Sequence, residues 1–147
     1  MNLCSTCVEN TKYVQRLERY GKRGRCAFNP NHTGAVQSVY WFTQFLDRDF
    51  RAAYEHGEEY PIMPFDGDRP DFDHYGETLF AAVMNFLVCN QDLAKTIAAE
   101  LIDQEPSHSK SGSCFYADDV MYELKRDADA RRAEESRDYH ESYGSGT

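Results

Sequence analysis

Cys4, Ser5, Thr6 and Cys7 form a C-x2-C knuckle; after eighteen intervening residues comes Cys26, and after five more His32. A C-x2-C step sets two sulfurs on one tight turn, where backbone amides soften the thiolate charge. A distant turn must then supply the second pair to close a tetrahedron. Thiolate and imidazole are ligands that zinc favours, and a gap of this size matches the common separation of two knuckles. The spacing predicts one structural zinc held by Cys4, Cys7, Cys26 and His32. Three thiolates and a neutral imidazole around a divalent ion leave one net negative charge. Asn29 stands where a full second knuckle carries cysteine, and C-x5-H is a wide step, so His74 competes as the fourth ligand if the acidic segment around it folds back. The other reading is three buried thiols with no metal. A catalytic zinc needs an open position and a nearby carboxylate base, and the sequence nominates none. Cys89 and Cys114 are expected to pack as small apolar residues.

The elements that must position these ligands can be read from periodicity and caps. Asn10 or Thr11 caps a helix to Tyr20, with Gly21 as its stop. Gly24–Phe28 reads as a short strand before the turn Asn29-Pro30-Asn31. Ser38 caps a second helix in which Val39, Phe42, Phe45, Leu46, Phe50, Ala53 and Tyr54 recur at helical spacing, with Gly57 as the stop. Residues 60–70 form a loop dense in Pro, Gly and Asp. A third helix is expected from Glu77 to Val88, and a fourth, capped by Asn90, to Asp103. Pro106–Ser113 is a polar loop. Cys114–Tyr122 reads as a short strand or irregular arm. A last helix spans Asp119 to Tyr139, its apolar stripe of Val120, Leu124 and Ala128 fading into a segment charged on every face, which suggests docking. The expected architecture is mainly α, with a zinc-knuckle lobe at 1–35, a small helical bundle with short irregular β arms at 36–140, and a disordered tail at 141–147.

Bulk properties narrow the function. The chain has 147 residues, enough for one buried core, and a formal charge of −9. That field repels nucleic acid and anionic lipid at long range, yet leaves room for a local basic patch. Arg16, Arg19, Lys22, Arg23 and Arg25 concentrate positive charge, either as such a patch or as a solvated helix end. No apolar stretch approaches the roughly 20 residues that span a bilayer, so no membrane association is expected. Met1-Asn2-Leu3-Cys4 lacks the basic and apolar regions of a secretory signal. Five cysteines, an odd number, fit metal-bound thiolates in a reducing cytoplasm better than a disulfide framework. Asp66-Gly67-Asp68 and Asp71-Phe72-Asp73, interleaved with Phe65 and Tyr75, suit a protein partner with a basic, apolar groove, or a solvated loop with buried rings.

With Cys4-x2-Cys7, Gly24-Arg25-Cys26, the helix ending Asp49-Phe50-Arg51-Ala52-Ala53-Tyr54-Glu55-His56 and the arm Tyr116-Ala117-Asp118-Asp119 in hand, residues 4 to 135 resemble the HEPN/RES N-terminal domain that precedes RES toxin domains in some bacteria. The resemblance implies a zinc knuckle attached to a helical domain in toxin–antitoxin or phage-defence systems, beside a RES domain that attacks NAD. No such domain fits within this chain, so no NAD-consuming activity is expected of it. HEPN domains that cut RNA use an R-x4-6-H motif, usually across a homodimer. Histidine there moves protons at the ribose hydroxyl and leaving oxygen, and arginine steadies the phosphate. Arg51 and His56 have the R-x4-H spacing, although Ala52 stands where active members place a polar residue. On a helix the two share a face only loosely. The plainer reading is a helix-end His56 favoured in its charged form by the C-terminal dipole, beside a solvated Arg51. Two expectations therefore stand: a zinc-stabilised module that binds a protein and regulates it, or a metal-independent ribonuclease working through Arg51 and His56, which the acidic field disfavours.

Overall fold

The computed structural model describes residues 1–62, 71–105 and 114–144. Phe65, Asp66, Gly67 and Asp68 of the acidic segment, the Pro106–Ser113 loop and residues 145–147 lie outside them. The architecture is mainly helical, with small antiparallel sheets.

Strand β1 (Asn2–Cys4) pairs antiparallel with β2 (Val36–Ser38) and so closes the N-terminal lobe on itself. Between them lies α1 (Thr11–Tyr20), which buries Tyr13 and Leu17 at i, i+4 spacing. Asn10 starts this helix with both ends of its amide. Its oxygen accepts the Lys12 N–H at 3.2 Å, and its Nδ2 donates to the Phe86 carbonyl at 2.8 Å. The strand expected over Gly24–Phe28 is absent. Cys26 is fixed instead within the cysteine–histidine cluster, and Val36–Ser38 takes the pairing with β1.

Helix α2 (Val39–Ala53) follows β2 without a linker. Ser38 ends the strand and caps the helix, its Oγ accepting the Trp41 N–H at 3.1 Å. Val39, Phe42, Leu46 and Phe50 line the buried face. Tyr13 joins α1 to α2 by donating its hydroxyl to Asp49 at 2.6 Å, and Lys12 reaches the same carboxylate at 2.9 Å. Burial alone would raise the Asp49 carboxyl, but the Tyr13 hydroxyl and the Lys12 ammonium hold it below the usual range.

The helix expected to continue to His56 stops at Ala53. Tyr54–His56 is strand β3, drawn out by antiparallel pairing with β7 (Met121–Leu124). β7 in turn pairs with β6 (Glu77–Thr78), giving the order β3-β7-β6. Two helix starts move accordingly. The third helix, α3 (Leu79–Leu87), begins after β6 rather than at Glu77, and the last, α5 (Lys125–Gly144), begins after β7 rather than at Asp119. α5 is also continuous across residue 141, where a tail was expected. Helix α4 (Gln91–Gln104) agrees with its cap: the Asn90 side chain accepts the Leu93 N–H at 2.9 Å. α3 and α4 pack on each other, and α4 also lies on α2. Val88, between α3 and α4, has a left-handed backbone at φ 54°, uncommon for a β-branched residue.

Residues 63–70 of the segment read as a loop lie outside the described residues, and what flanks them is an antiparallel pair, the β4–β5 hairpin: β4 (Glu59–Ile62) pairs with β5 (Asp71–His74). Gly76 turns the chain from β5 into β6 at φ 98°, and a Cβ there would lie 2.4 Å from the Tyr122 carbonyl oxygen. The charged helix α5 is anchored on this region. Pairing of β3 with β7 sets Glu55 directly opposite Glu123, a repulsive arrangement. Arg132 pairs with Glu55, Arg131 with Glu123 at 2.9 Å, and both arginines reach Glu58. Arg131 also lies 3.7 Å from the Tyr75 ring centroid, and Ala128 is fully buried.

One core runs from Leu3 to Tyr122, and its hub is Phe50. This ring stacks on Tyr54 at 4.3 Å and meets Phe86, Phe115 and Tyr122 edge-on. Phe50→Ala is expected to lower the unfolding free energy by about 3–5 kcal/mol, measured by urea denaturation. A loss below about 1 kcal/mol would contradict its central role.

Candidate metal centre

The knuckle begins as a turn off β1, with the Cys7 N–H donating to the Cys4 carbonyl at 3.0 Å. The Ser5 N–H donates to the Ala35 carbonyl at 3.0 Å, which ties this turn to the approach of β2. Gly34 passes so close that a Cβ would lie 2.3 Å from Ser5 Oγ, so only glycine fits without displacement. The second turn carries the other ligands. The His32 N–H donates to the Asn29 carbonyl at 3.1 Å, and the Phe28 N–H points at Cys26 Sγ at 3.4 Å. On the exit side, the Glu9 and Asn10 amides donate to the Leu87 carbonyl at the end of α3.

These turns bring Cys4, Cys7 and Cys26, all buried, together with the half-buried His32. Cys4 Sγ lies 3.6 Å from Cys7 Sγ, and Cys7 Sγ lies 3.2 Å from Cys26 Sγ. His32 Nδ1 is 3.4 Å from Cys4 and Cys7 and 3.8 Å from Cys26. All four ligand atoms fall within 4.8 Å of one another. Metal–sulfur bonds of about 2.3 Å and metal–nitrogen bonds of about 2.0–2.1 Å imply tetrahedral edges of about 3.5–3.8 Å. Five of the six separations, at 3.2–3.8 Å, lie near that figure and the sixth, Cys4 Sγ to Cys26 Sγ, falls within 4.8 Å, so the cluster can hold a metal ion. His74 is not part of it: it sits on β5 opposite Glu59 and is exposed.

The thiols respond differently to this crowding. Burial opposes ionisation of Cys26, but contacts from Cys7 and from the Phe28 and Asn29 amides bring it down to about 7. Burial pushes Cys7 well up, and its sulfur neighbours add to the rise. A cation supplies the charge that would let all three ionise together. Cys89 is half-buried, its thiol pushed up to about 11 by burial, and Cys114 is exposed rather than packed.

Arg51 and His56 sit on different elements, the last turn of α2 and the end of β3, and each lies beside Phe115. The Arg51 Cζ is 5.1 Å from that ring's centroid, and the His56 ring stacks on it at 4.9 Å. His56 is therefore not at a helix end. Its Nε2–H donates to the Phe115 carbonyl at 2.7 Å. Arg51 is not merely solvated: its Nε donates to Asp47 at 2.7 Å and its fork reaches Glu105. Glu105 is buried and also accepts the Tyr116 N–H at 2.8 Å, while the Tyr116 hydroxyl donates to Asp47 at 2.6 Å. This Arg51–Asp47–Glu105–Tyr116 network was invisible in the sequence. Only the i, i+4 step from Asp47 to Arg51 hinted at it. No family model, curated protein or solved structure matches the chain.

Purified protein is expected to carry about one metal ion per chain, read by elemental analysis. Cys7→Ser or a strong chelator should remove it and lower the melting temperature, whereas metal-free protein of undiminished stability would refute the centre. Arg51→Ala is expected to cost about 3 kcal/mol, because Glu105 stays buried without its cation. An unchanged denaturation midpoint would show that the network is not structural.

Proposed function

We propose that this chain is a zinc-stabilised interaction module that binds and regulates a protein partner in a bacterial toxin–antitoxin or phage-defence system. The observation that carries the reading is the closed ligand set. Four protein ligand atoms lie within 4.8 Å of one another, the number that completes a tetrahedral zinc site, and a site with four protein ligands stabilises structure rather than performing chemistry. The number of thiolates suits zinc, and free thiols held this way fit a reducing cytoplasm. Among the described residues no helix is long and apolar enough to cross a membrane.

The partner-binding element is the β4–β5 hairpin. It pairs with no other described strand, so its edges offer unpaired backbone groups. Phe72 is 50% exposed and Ile62 40% exposed, between the exposed acids Glu59, Asp71 and Asp73. The register sets Phe72 with Pro61 and Glu59 on one face and Ile62 with Asp71 and Asp73 on the other, so each face places an exposed apolar side chain beside carboxylate, which suits a basic groove with an apolar floor. The resemblance to domains that precede RES toxins makes a RES-domain protein the partner to try first.

Co-expressed with a RES-domain toxin, the zinc-loaded chain is expected to co-purify with it. Phe72→Ala combined with Asp71→Asn and Asp73→Asn should reduce recovery at least about tenfold. Equal recovery by that variant would remove the hairpin as the interface, and failure to retain a RES-domain partner would remove the toxin assignment. The alternative, a ribonuclease working through Arg51 and His56, would displace the module if wild type cleaved structured RNA without added metal and His56→Ala did not.

A further inference from the structure

We infer that a second surface, built from α1, the loop after it and the outer face of α2, binds single-stranded nucleic acid by stacking bases on Tyr20, Trp41 and Phe45 while arginines hold the phosphates.

The first observation is how charge is distributed. Residues 11–25 hold six of the 16 Lys and Arg but only one of the 25 acidic residues, so this stretch carries a formal +5 and the rest of the chain −14. Of these six, Lys12 is spent on Asp49 and Arg16 and Arg19 lie over aromatic rings, while the other three are unspent. Lys12, Arg51, Arg131 and Arg132 are paired with carboxylates. Lys22, Arg23 and Arg25 are exposed and form no ion pair with any described residue, nor does Arg48 on α2. The acids of α2 that could have answered them are turned elsewhere. Asp49 is held by Tyr13 and Lys12, and Asp47 by Arg51 and Tyr116. In a chain with a large excess of acid, three neighbouring cations without carboxylate partners, Lys22, Arg23 and Arg25, stay available to an anion from outside.

The second observation is aromatic. Tyr20 from α1 lies 6.0 Å from Trp41, and Trp41 lies 4.6 Å from Phe45 one turn along α2. The three rings are tilted against one another by 57° and 59°, so they do not close into a single stack. Tyr20 is 48% exposed, while Trp41 and Phe45 are half-buried, Trp41 resting one side on the core. Arginines sit at both ends of the row. Arg16 lies 4.2 Å from the Phe45 centroid, and Arg19 lies 5.3 Å from that of Tyr20. Unpaired bases stack on such rings, and flanking guanidiniums grip phosphate oxygens with a bidentate fork. A duplex hides its base faces and would use the charge without the rings. An acidic peptide would use the charge and gain less from a row of three ring faces.

Trp41 is the sole tryptophan, so it reports binding directly. The full metal-loaded chain would be titrated with fluorescein-labelled oligouridylate and oligothymidylate, following both probe anisotropy and tryptophan emission. We expect binding with tryptophan quenching, weakened roughly 50-fold between about 50 and 200 mM salt if about four phosphates are neutralised. Arg19→Ala with Arg23→Ala and Arg25→Ala should weaken binding at least about tenfold, and Tyr20→Ala about tenfold with recovery in Tyr20→Phe. Lys125→Ala with Arg126→Ala, exposed cations on α5, should leave binding unchanged. If the triple variant loses its helical spectrum, Lys22→Gln with Arg23→Gln carries the same expectation. No quenching at low salt, equal affinity for duplex, insensitivity to the arginine variants, or displacement by polyglutamate at equal concentration would each overturn the assignment. The last would make the partner an acidic protein.

Discussion

The N-terminal third of this molecule is organised by one constraint: four ligand atoms from two separated turns must occupy a space less than 5 Å across. Three sulfurs this close cannot all carry charge without a cation between them, and left protonated they have little else to hold them together. Leu3, Val8, Leu17 and Val36 anchor this lobe in the core, and the ligand set adds the constraint on the turns between them. The ligand cluster sets where Cys26 and His32 turn, which in turn sets where Val36–Ser38 returns to meet β1. The close passage of Gly34 over Ser5 and the hydrogen bonds donated by the Glu9 and Asn10 N–H groups to the Leu87 carbonyl extend that order into the helices.

How much of this was legible in the sequence depended on whether the deciding interaction was local. Asn10, Ser38 and Asn90 each cap their own helix, and all three starts were readable because a cap acts within three residues. The cysteine–histidine spacing was readable because ligand chemistry restricts which residues can converge. Tyr54–His56 was misread because the apolar period of α2 runs on through Tyr54, while the strand is imposed by β7, more than sixty residues away. Val120 and Leu124 carry a helical i, i+4 spacing for the same accidental reason, and pairing on both sides pulls Met121–Leu124 into strand instead. Glu105 gave no sign that it would be the buried partner of Arg51, since nothing near it in sequence demands a cation.

The two faces available to other molecules have opposite character and different origins. The hairpin presents acid and apolar groups on strands with open edges, while α1 and α2 present base and aromatic rings on rigid helices. The carboxylates that would have blurred this division are absorbed internally. Asp47, Asp49, Glu55, Glu105 and Glu123 all answer cations or hydroxyls of the same chain. The net charge of −9 therefore describes neither face. What an approaching molecule meets is the local remainder after internal pairing.

Ser38 is at once the last residue of β2 and the cap of α2, and the Val39 N–H donates to the Met1 carbonyl across the sheet. There is no hinge at this joint. A shift of β1 cannot be absorbed by a flexible connector and must travel down a fifteen-residue rod. That rod carries Trp41 near one end and Phe50 near the other, so the ligand cage, the outer aromatic row and the centre of the core share one continuous, unjointed stretch of backbone.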